Sequence, residues 1–326
     1  HFTDFIQSAL RFLDAREVRN TPRVYLTDGR KRDEFTHIMI GNRRYLVEGL
    51  VGSGAKCDVY RARWDNEPTE FVIVKLLASD EDSDLLTREA QMLRHLEELD
   101  GVESEYFRLF TPRYVSEGMA ILPDGTRTPA LVTRERHCFN WNFVEIRAAY
   151  PRGVDPRAAV WMMNRVIEIL RWLHGHRLVH GAVLPEHLLV NPGDHRVLLI
   201  DWTYAGSIGE HVPATVDNRL DYYPRPPVLY FNEERLSPEL DIAMACRSVL
   251  YLLGFEPGAG ASRRSHIMDE DSVDYRPLVQ FLYDHAGYGD SCPSHMDAKS
   301  FHDAFERVAH DVYGPKRFVP FHMPAP

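Results

Sequence analysis

Lys75, Glu89, His180, Glu186, His187 and Asp201 are the residues whose type and setting could do chemistry. Lys75 closes the apolar run Val72-Ile-Val74, so a strand of core residues carries its ammonium, not a surface loop. Glu89 follows 14 residues later, in a segment where Leu86, Ala90, Leu93 and Leu96 recur at helical spacing. Upstream, Gly52-Ser-Gly54 follows a strand-like run. Glycines at such a turn let backbone N–H groups approach phosphate oxygens with no Cβ in the way. In the second half, Val179-His180-Gly181, Pro185-Glu186-His187 and Leu199-Ile200-Asp201 set imidazoles and carboxylates in or beside apolar runs. A carboxylate is a hard ligand suited to Mg²⁺, whereas an imidazole ligates a metal only when neutral.

These residues need elements to hold them. His37 to Val47 alternates apolar and polar residues across Gly41-Asn42, which predicts a β-hairpin. Tyr45 to Leu77 is strand-rich, Asp84 to Leu99 is predicted helical, and Thr111 to Thr133 holds strands around a Pro123-Asp-Gly125 turn. Asp155 can cap a helix with Pro156 at its first position, and Val160, Met163, Val166, Ile167, Leu170 and Leu173 give that helix an apolar stripe. The chain beyond Asp241 is again mostly helical. Asp4 to Val18 reads as a short helix and Arg19 to Arg32 as a linker.

The bulk numbers fit a globular protein of two cores: 326 residues, 44% hydrophobic and 26% charged. A net charge of −10 repels phosphate backbones and anionic lipid, so neither nucleic acid nor a membrane is expected as partner. Cys57, Cys138, Cys246 and Cys292 form no C-x-x-C pair, which points to a reducing, cytoplasmic setting.

The order of these motifs resembles the protein-kinase family. Val51-Gly-Ser-Gly-Ala-Lys-Cys-Asp-Val59 resembles its glycine-rich loop at Gly52, Gly54 and Val59, with Cys57 in place of the third glycine. Lys75, 16 residues after Val59, falls at the lysine that contacts phosphates, and Glu89 at its helix partner. His180 to Asn191 resembles the catalytic loop, and Asp201, 19 residues after Ala182, the metal-binding Asp. Asp241 resembles the structural Asp of a large buried helix. The resemblance runs from about Tyr45 to Val308. It implies an α+β, two-lobed kinase-like fold: an extension at 1–44, a β-rich lobe at 45–133, and a helical lobe with its tail at 134–326. It further implies Thr133 behind an adenine pocket, with Arg134 to Arg136 as connector.

Several positions depart from the family pattern. Ala182 stands where the family has its catalytic Asp, His187 where it has the Asn that holds a second Mg²⁺, and Leu184 where a Lys is usual. Ala182 cannot orient a hydroxyl or take its proton, and such assistance is worth about 10²–10⁴-fold. Glu186 is the one carboxylate in the loop that could substitute, although its counterpart usually has a structural or substrate-contacting role. One Mg²⁺ on Asp201 is expected, and His187, which could ligate only as a neutral imidazole, is a poor ligand for a second. His180 is expected to brace the loop. The segment after Asp201 carries Thr203, Tyr204, Ser207 and Thr215, but Gly181 replaces the Arg that would read a phosphate there, and Arg225-Pro-Pro227 keeps little of the family's A-P-E motif.

The expectation is therefore a pseudokinase that binds ATP or another nucleotide, or acts as a scaffold for a protein client, with impaired phosphotransfer. The client would dock through Phe2 to Arg32 or the helical lobe. The aromatic run Phe139-Asn-Trp-Asn-Phe143 reads either as a docking patch or as packing at the lobe junction, and Trp202 beside Asp201 either as core packing or, with Cys57, as partly filling the pocket. The competing expectation is an atypical ATP-dependent transferase, a weak serine/threonine or small-molecule kinase. His180-Gly181 and Ile200-Asp201-Trp202 also resemble aminoglycoside and choline phosphotransferases. A third reading is a domain with an empty pocket and a structural role.

Overall fold

The computed structural model describes residues 36–54, 56–79, 82–224, 235–256, 273–288 and 296–323. Asp4 to Val18, Arg19 to Arg32, Arg225-Pro-Pro227 and Cys292 lie outside them. Two compact units divide between Cys138 and Phe139.

The first unit is built on antiparallel strands: β1 (His37–Ile40), β2 (Arg43–Ser53), β3 (Cys57–Trp64), β4 (Glu67–Leu77), β5 (Arg113–Ile121) and β6 (Arg127–Arg134). The predicted hairpin is β1 and β2, turned by Gly41 at φ 60°. The sheet order β1-β2-β3-β4-β6-β5 closes into a barrel, because β1 pairs with β5 as well as with β2. Alternation along each strand buries Ile38, Ile40, Tyr45, Tyr60, Ala62, Val72, Val74, Leu76, Ala120, Ala130 and Val132 in one core. Helix α1 (Ser83–Glu98) lays Leu86, Ala90, Leu93 and Leu96 inward and packs against β5 and β6. Helix α2 (Val102–Phe107) then leads into β5.

The second unit is mixed but mostly helical. Strand β7 (Trp141–Asn142) leads into α3 (Phe143–Ala149), which opens with a capping box: Asn142 accepts from the Glu145 amide, and Glu145 accepts from the Asn142 amide. Phe139 and Phe143 are buried and pack, while Trp141, on β7 paired with β9, is half-buried. Helix α4 (Pro156–Gly175) starts as its sequence predicts, with the Asp155 side chain accepting from the Arg157 amide. Short strands follow: β8 (Leu178–Val179), β9 (Leu188–Asn191), β10 (Arg196–Leu199) and β11 (Gly206–Ser207). The pairs β9–β10 and β8–β11 fold the chain back on itself and bring residues 180–187 against 200–204. Helix α5 (Pro238–Leu252), buried over most of its length, packs against α4 and against α6 (Arg276–His285). Helix α7 (Ala298–Tyr313) completes the layer against α4 and α6.

Candidate functional site

In the first unit, the glycine loop is the turn between β2 and β3, where Gly52 pairs with Val59 and Ser53 with Asp58. The Gly54 amide donates to the Cys57 carbonyl at 2.8 Å, which closes the turn. A Cβ on Gly52 would meet nothing within 4 Å, and one on Gly54 only the Cys57 carbonyl at 3.6 Å. Among the described residues nothing therefore demands glycine at either position, and none crowds the face above them.

Val59 lies opposite Lys75 on β4, and Leu131 of β6 flanks Lys75 on the other side. The Lys75 ammonium donates to Glu89 Oε2 at 2.6 Å. Glu89 is buried on the same α1 face as Leu86 and Leu93. A carboxylate there is tolerable only with a cation against it, and Lys75 supplies that cation. Thr133 is buried on β6, between Ile73 and Tyr114.

In the second unit, Asp241 organises the loop. It sits fully buried in the first turn of α5, where a helix N-terminus favours negative charge. Its oxygens accept from the His180 amide at 2.9 Å, the Gly181 amide at 2.8 Å and His174 Nε2 at 3.0 Å. Gly181 has φ 75°, and a Cβ on it would lie 2.6 Å from the Tyr204 carbonyl oxygen. No side chain fits at that backbone, so an arginine there would have no room.

The two histidines of the loop hold different charge states, and their partners say why. His180 Nε2 faces the Ile200 carbonyl at 3.1 Å, while its Nδ1 accepts from the Ala182 amide at 3.3 Å. One donor and one acceptor describe a neutral ring. Full burial works the same way and pulls its pKa down to about 4. His180 is thus a brace.

His187 faces two acceptors instead. Its Nδ1 meets the Ala182 carbonyl at 2.9 Å, and its Nε2 meets Asp201 Oδ2 at 3.1 Å. Both nitrogens must donate, which makes the ring an imidazolium. Burial opposes that charge. The Asp201 carboxylate, by charge and hydrogen bond, and then Glu186 outweigh it, and the His187 pKa lies above the ordinary histidine value.

Asp201 itself is left-handed, at φ 63° and ψ 73°, between β10 and a short turn of helix at Trp202–Tyr204. Its Oδ1 accepts from Thr203 Oγ1 at 2.6 Å. Trp202 is fully buried, donates Nε1 to the Leu199 carbonyl at 3.0 Å, and sets its ring edge-on to His180. Among the described residues no cluster of three or more His, Cys, Asp or Glu could hold a metal ion. One carboxylate, bridged by a cationic imidazole, is a poor cage for an ion that demands several oxygens. The single Mg²⁺ expected on Asp201 does not fit these side chains.

Glu186, the candidate substitute base, accepts from Arg219 Nε at 2.6 Å. It is thereby anchored to the segment 217–222. That segment and the stretch before it are held by the chain's own bonds. The Gly209 amide donates to Leu236 O and the Leu236 amide to Glu210 O, both at 2.8 Å. Thr215 is buried, and the Val216 amide donates to the Tyr223 hydroxyl at 3.2 Å. Sequence reasoning gave no sign of the Arg219 anchor or of the His174 bond to Asp241. The His187 bridge had one legible clue, an imidazole five positions after Ala182, but the direction of its ring was not legible.

No family model matches the chain. Over 181 residues it is 26% identical to the mouse protein "Cyclin-dependent kinase-like 5", a match covering 52% of this chain and 17% of that protein. The human protein of the same name is 26% identical over 181 residues, with 16% of its length covered. The "Cyclin-dependent kinase 4 homolog" of Caenorhabditis elegans is 23% identical over 162 residues, covering 48% of this chain and 37% of that one. The chain thus spans about a sixth of the length of the mouse and human relatives. Among solved structures, the BubR1 kinase domain superposes with a TM-score of 0.58 at 13% identity, covering 94% of this chain and 93% of that one. The fold is protein-kinase-like. Within it, strands and helices are mixed as a kinase domain requires, and no described helix is long and apolar enough to cross a membrane.

Proposed function

We propose that this kinase-like domain is a pseudokinase: a binding module that takes a nucleotide and a protein partner and has impaired phosphotransfer. The observation that carries the reading is Ala182. Its side chain is a methyl group, its carbonyl is occupied by His187, and the nearest loop carboxylate, Glu186, is bound to Arg219. Phosphoryl transfer requires a positioned nucleophile and charge stabilisation, and no group of this loop offers the first. The Lys75–Glu89 ion pair and the open glycine turn support retention of nucleotide binding. The acidic net charge and the lack of paired cysteine motifs favour a cytoplasmic protein partner over nucleic acid or lipid.

Thermal melting with millimolar ATP tests the nucleotide half, since a ligand that binds only the native state raises the midpoint. A rise in the wild type that is lost in Lys75→Ala is expected, and no rise in either would overturn it. The catalytic half is tested by mass spectrometry of protein and small-molecule substrates incubated with ATP. No phosphate adduct is expected, and a transfer that depends on Lys75 would replace the pseudokinase reading by that of a weak ATP-dependent transferase. A partner captured by the wild type should still be captured by Asp201→Ala.

A further inference from the structure

We infer that His187 takes the place of a divalent cation in this chain: its ring bridges the Ala182 carbonyl and the Asp201 carboxylate, so the nucleotide this domain takes is held free of metal. The second half rests on the nucleotide-binding reading above. The first half, an Asp201 without a metal ion, stands on its own.

Three observations carry it. The first is the bridge. Nδ1 lies 2.9 Å from Ala182 O and Nε2 lies 3.1 Å from Asp201 Oδ2. The ring thus fills the space between the carbonyl and the carboxylate and occupies an oxygen of each. The second is that the carboxylate's other oxygen is taken by the Thr203 hydroxyl at 2.6 Å. The third is how the pair is fixed. The Ile200 amide donates to the His187 carbonyl at 3.0 Å, which ties the backbone before Asp201 to that of His187. His187 is buried, and its ring packs edge-on near neutral His180. The two backbones are thereby held together at the point where ring and carboxylate meet.

A divalent ion would have to displace the His187 ring, find a single carboxylate among the described residues, and shed water for it. Mg²⁺ gives up water reluctantly and asks for an octahedron of hard oxygens. The residue at the family's second metal position is the one that now donates two hydrogen bonds. Ala182 has no side-chain oxygen to add, and Glu186 Oε1 is committed to Arg219.

The test uses Mn²⁺ alone as probe, with the full chain, and follows the electron paramagnetic resonance signal of the free ion. Wild-type protein is expected to leave that signal no lower than Asp201→Asn does at submillimolar Mn²⁺. His187→Asn, which restores an amide oxygen and removes the cation, is expected to gain one Mn²⁺ site, lost again in His187→Asn/Asp201→Asn. Circular dichroism of each variant confirms that it is folded. A stoichiometric Mn²⁺ site in the wild type that Asp201→Asn removes would overturn the inference, as would a folded His187→Asn that gains no site. Calorimetry with ATP then separates the two readings. Equal affinity, within about twofold, in EDTA and in Mg²⁺ supports metal-free binding. A rise of tenfold or more with Mg²⁺ overturns it. No ATP binding in either buffer sinks the nucleotide reading and leaves the Mn²⁺ result standing.

Discussion

In the first unit, Lys75 reaches Glu89 at 2.6 Å and the glycine turn stays open. In the second, Asp201 is bridged by His187 at 3.1 Å, Glu186 is anchored by Arg219 at 2.6 Å, and Ala182 offers only a carbonyl. The first arrangement leaves a lysine of the kind that serves phosphates. In the second, His187 is tied to Ala182 and Asp201, and one oxygen of Glu186 to Arg219. The difference teaches that the shape of the loop and the groups it presents rest on different atoms. Asp241 and the backbone of residues 180–181 keep the loop in shape. The side chains at 182 and 187 take no part in those bonds to Asp241.

This contrast can be broken, most forcefully at Asp241. Asp241→Ala leaves two buried amides and His174 without their acceptor, and is expected to cost about 3–5 kcal/mol in urea unfolding. A cost under about 1 kcal/mol would mean that the loop is held elsewhere.

Acid should act next. His180 titrates near 4 when folded, against about 6.5 when unfolded. The unfolded chain therefore binds more protons between those values, and stability is expected to fall by up to about 3 kcal/mol as pH drops from 6.5 to 4. His187, with its pKa raised, runs the other way: its contribution is present in acid and is lost as pH rises through its folded value. Removing the first term with His180→Asn should flatten the acid limb, and an unchanged limb would remove His180 from the account.

Gly181→Ala tests whether the loop has room for a side chain. A left-handed backbone and a Cβ 2.6 Å from Tyr204 O predict a loss of about 2–3 kcal/mol by thermal melting.

The smallest effect is expected in the first unit. Lys75→Met should cost about 2 kcal/mol by leaving the buried Glu89 without this cation, and adding Glu89→Gln should return part of it. The coupling energy of that double-mutant cycle measures the pair directly. A coupling near zero would erase the distinction drawn between the units.

The elements that hold the site were legible where a local rule decides them. Gly41-Asn42 marks the β1–β2 turn, Asp155-Pro156 starts α4, and Leu86, Ala90, Leu93 and Leu96 mark the inward face of α1. The Lys75–Glu89 pair and the buried Asp241 were legible too, by type and spacing. Partnerships across the chain were not. The Glu186–Arg219 bond joins residues 33 apart, and His174–Asp241 joins residues 67 apart, with no periodicity to link them. The bond between His187 and Asp201 was not legible for the same reason. A carboxylate in an apolar run suggests a metal ligand until the ring direction of His187 is known, and rotamers are set by packing, not by sequence spacing.

The closing of β1 onto β5 has its own consequence. The seam is short: β1 covers Arg43–Leu46 of β2 and Ala120–Ile121 of β5. Along that seam the backbone groups are paired within the barrel, so another chain cannot add a strand there without displacing β1. The four residues His37–Ile40 also guard the barrel against strand-to-strand aggregation. Trimming them would expose two hydrogen-bonding edges, those of β2 and β5.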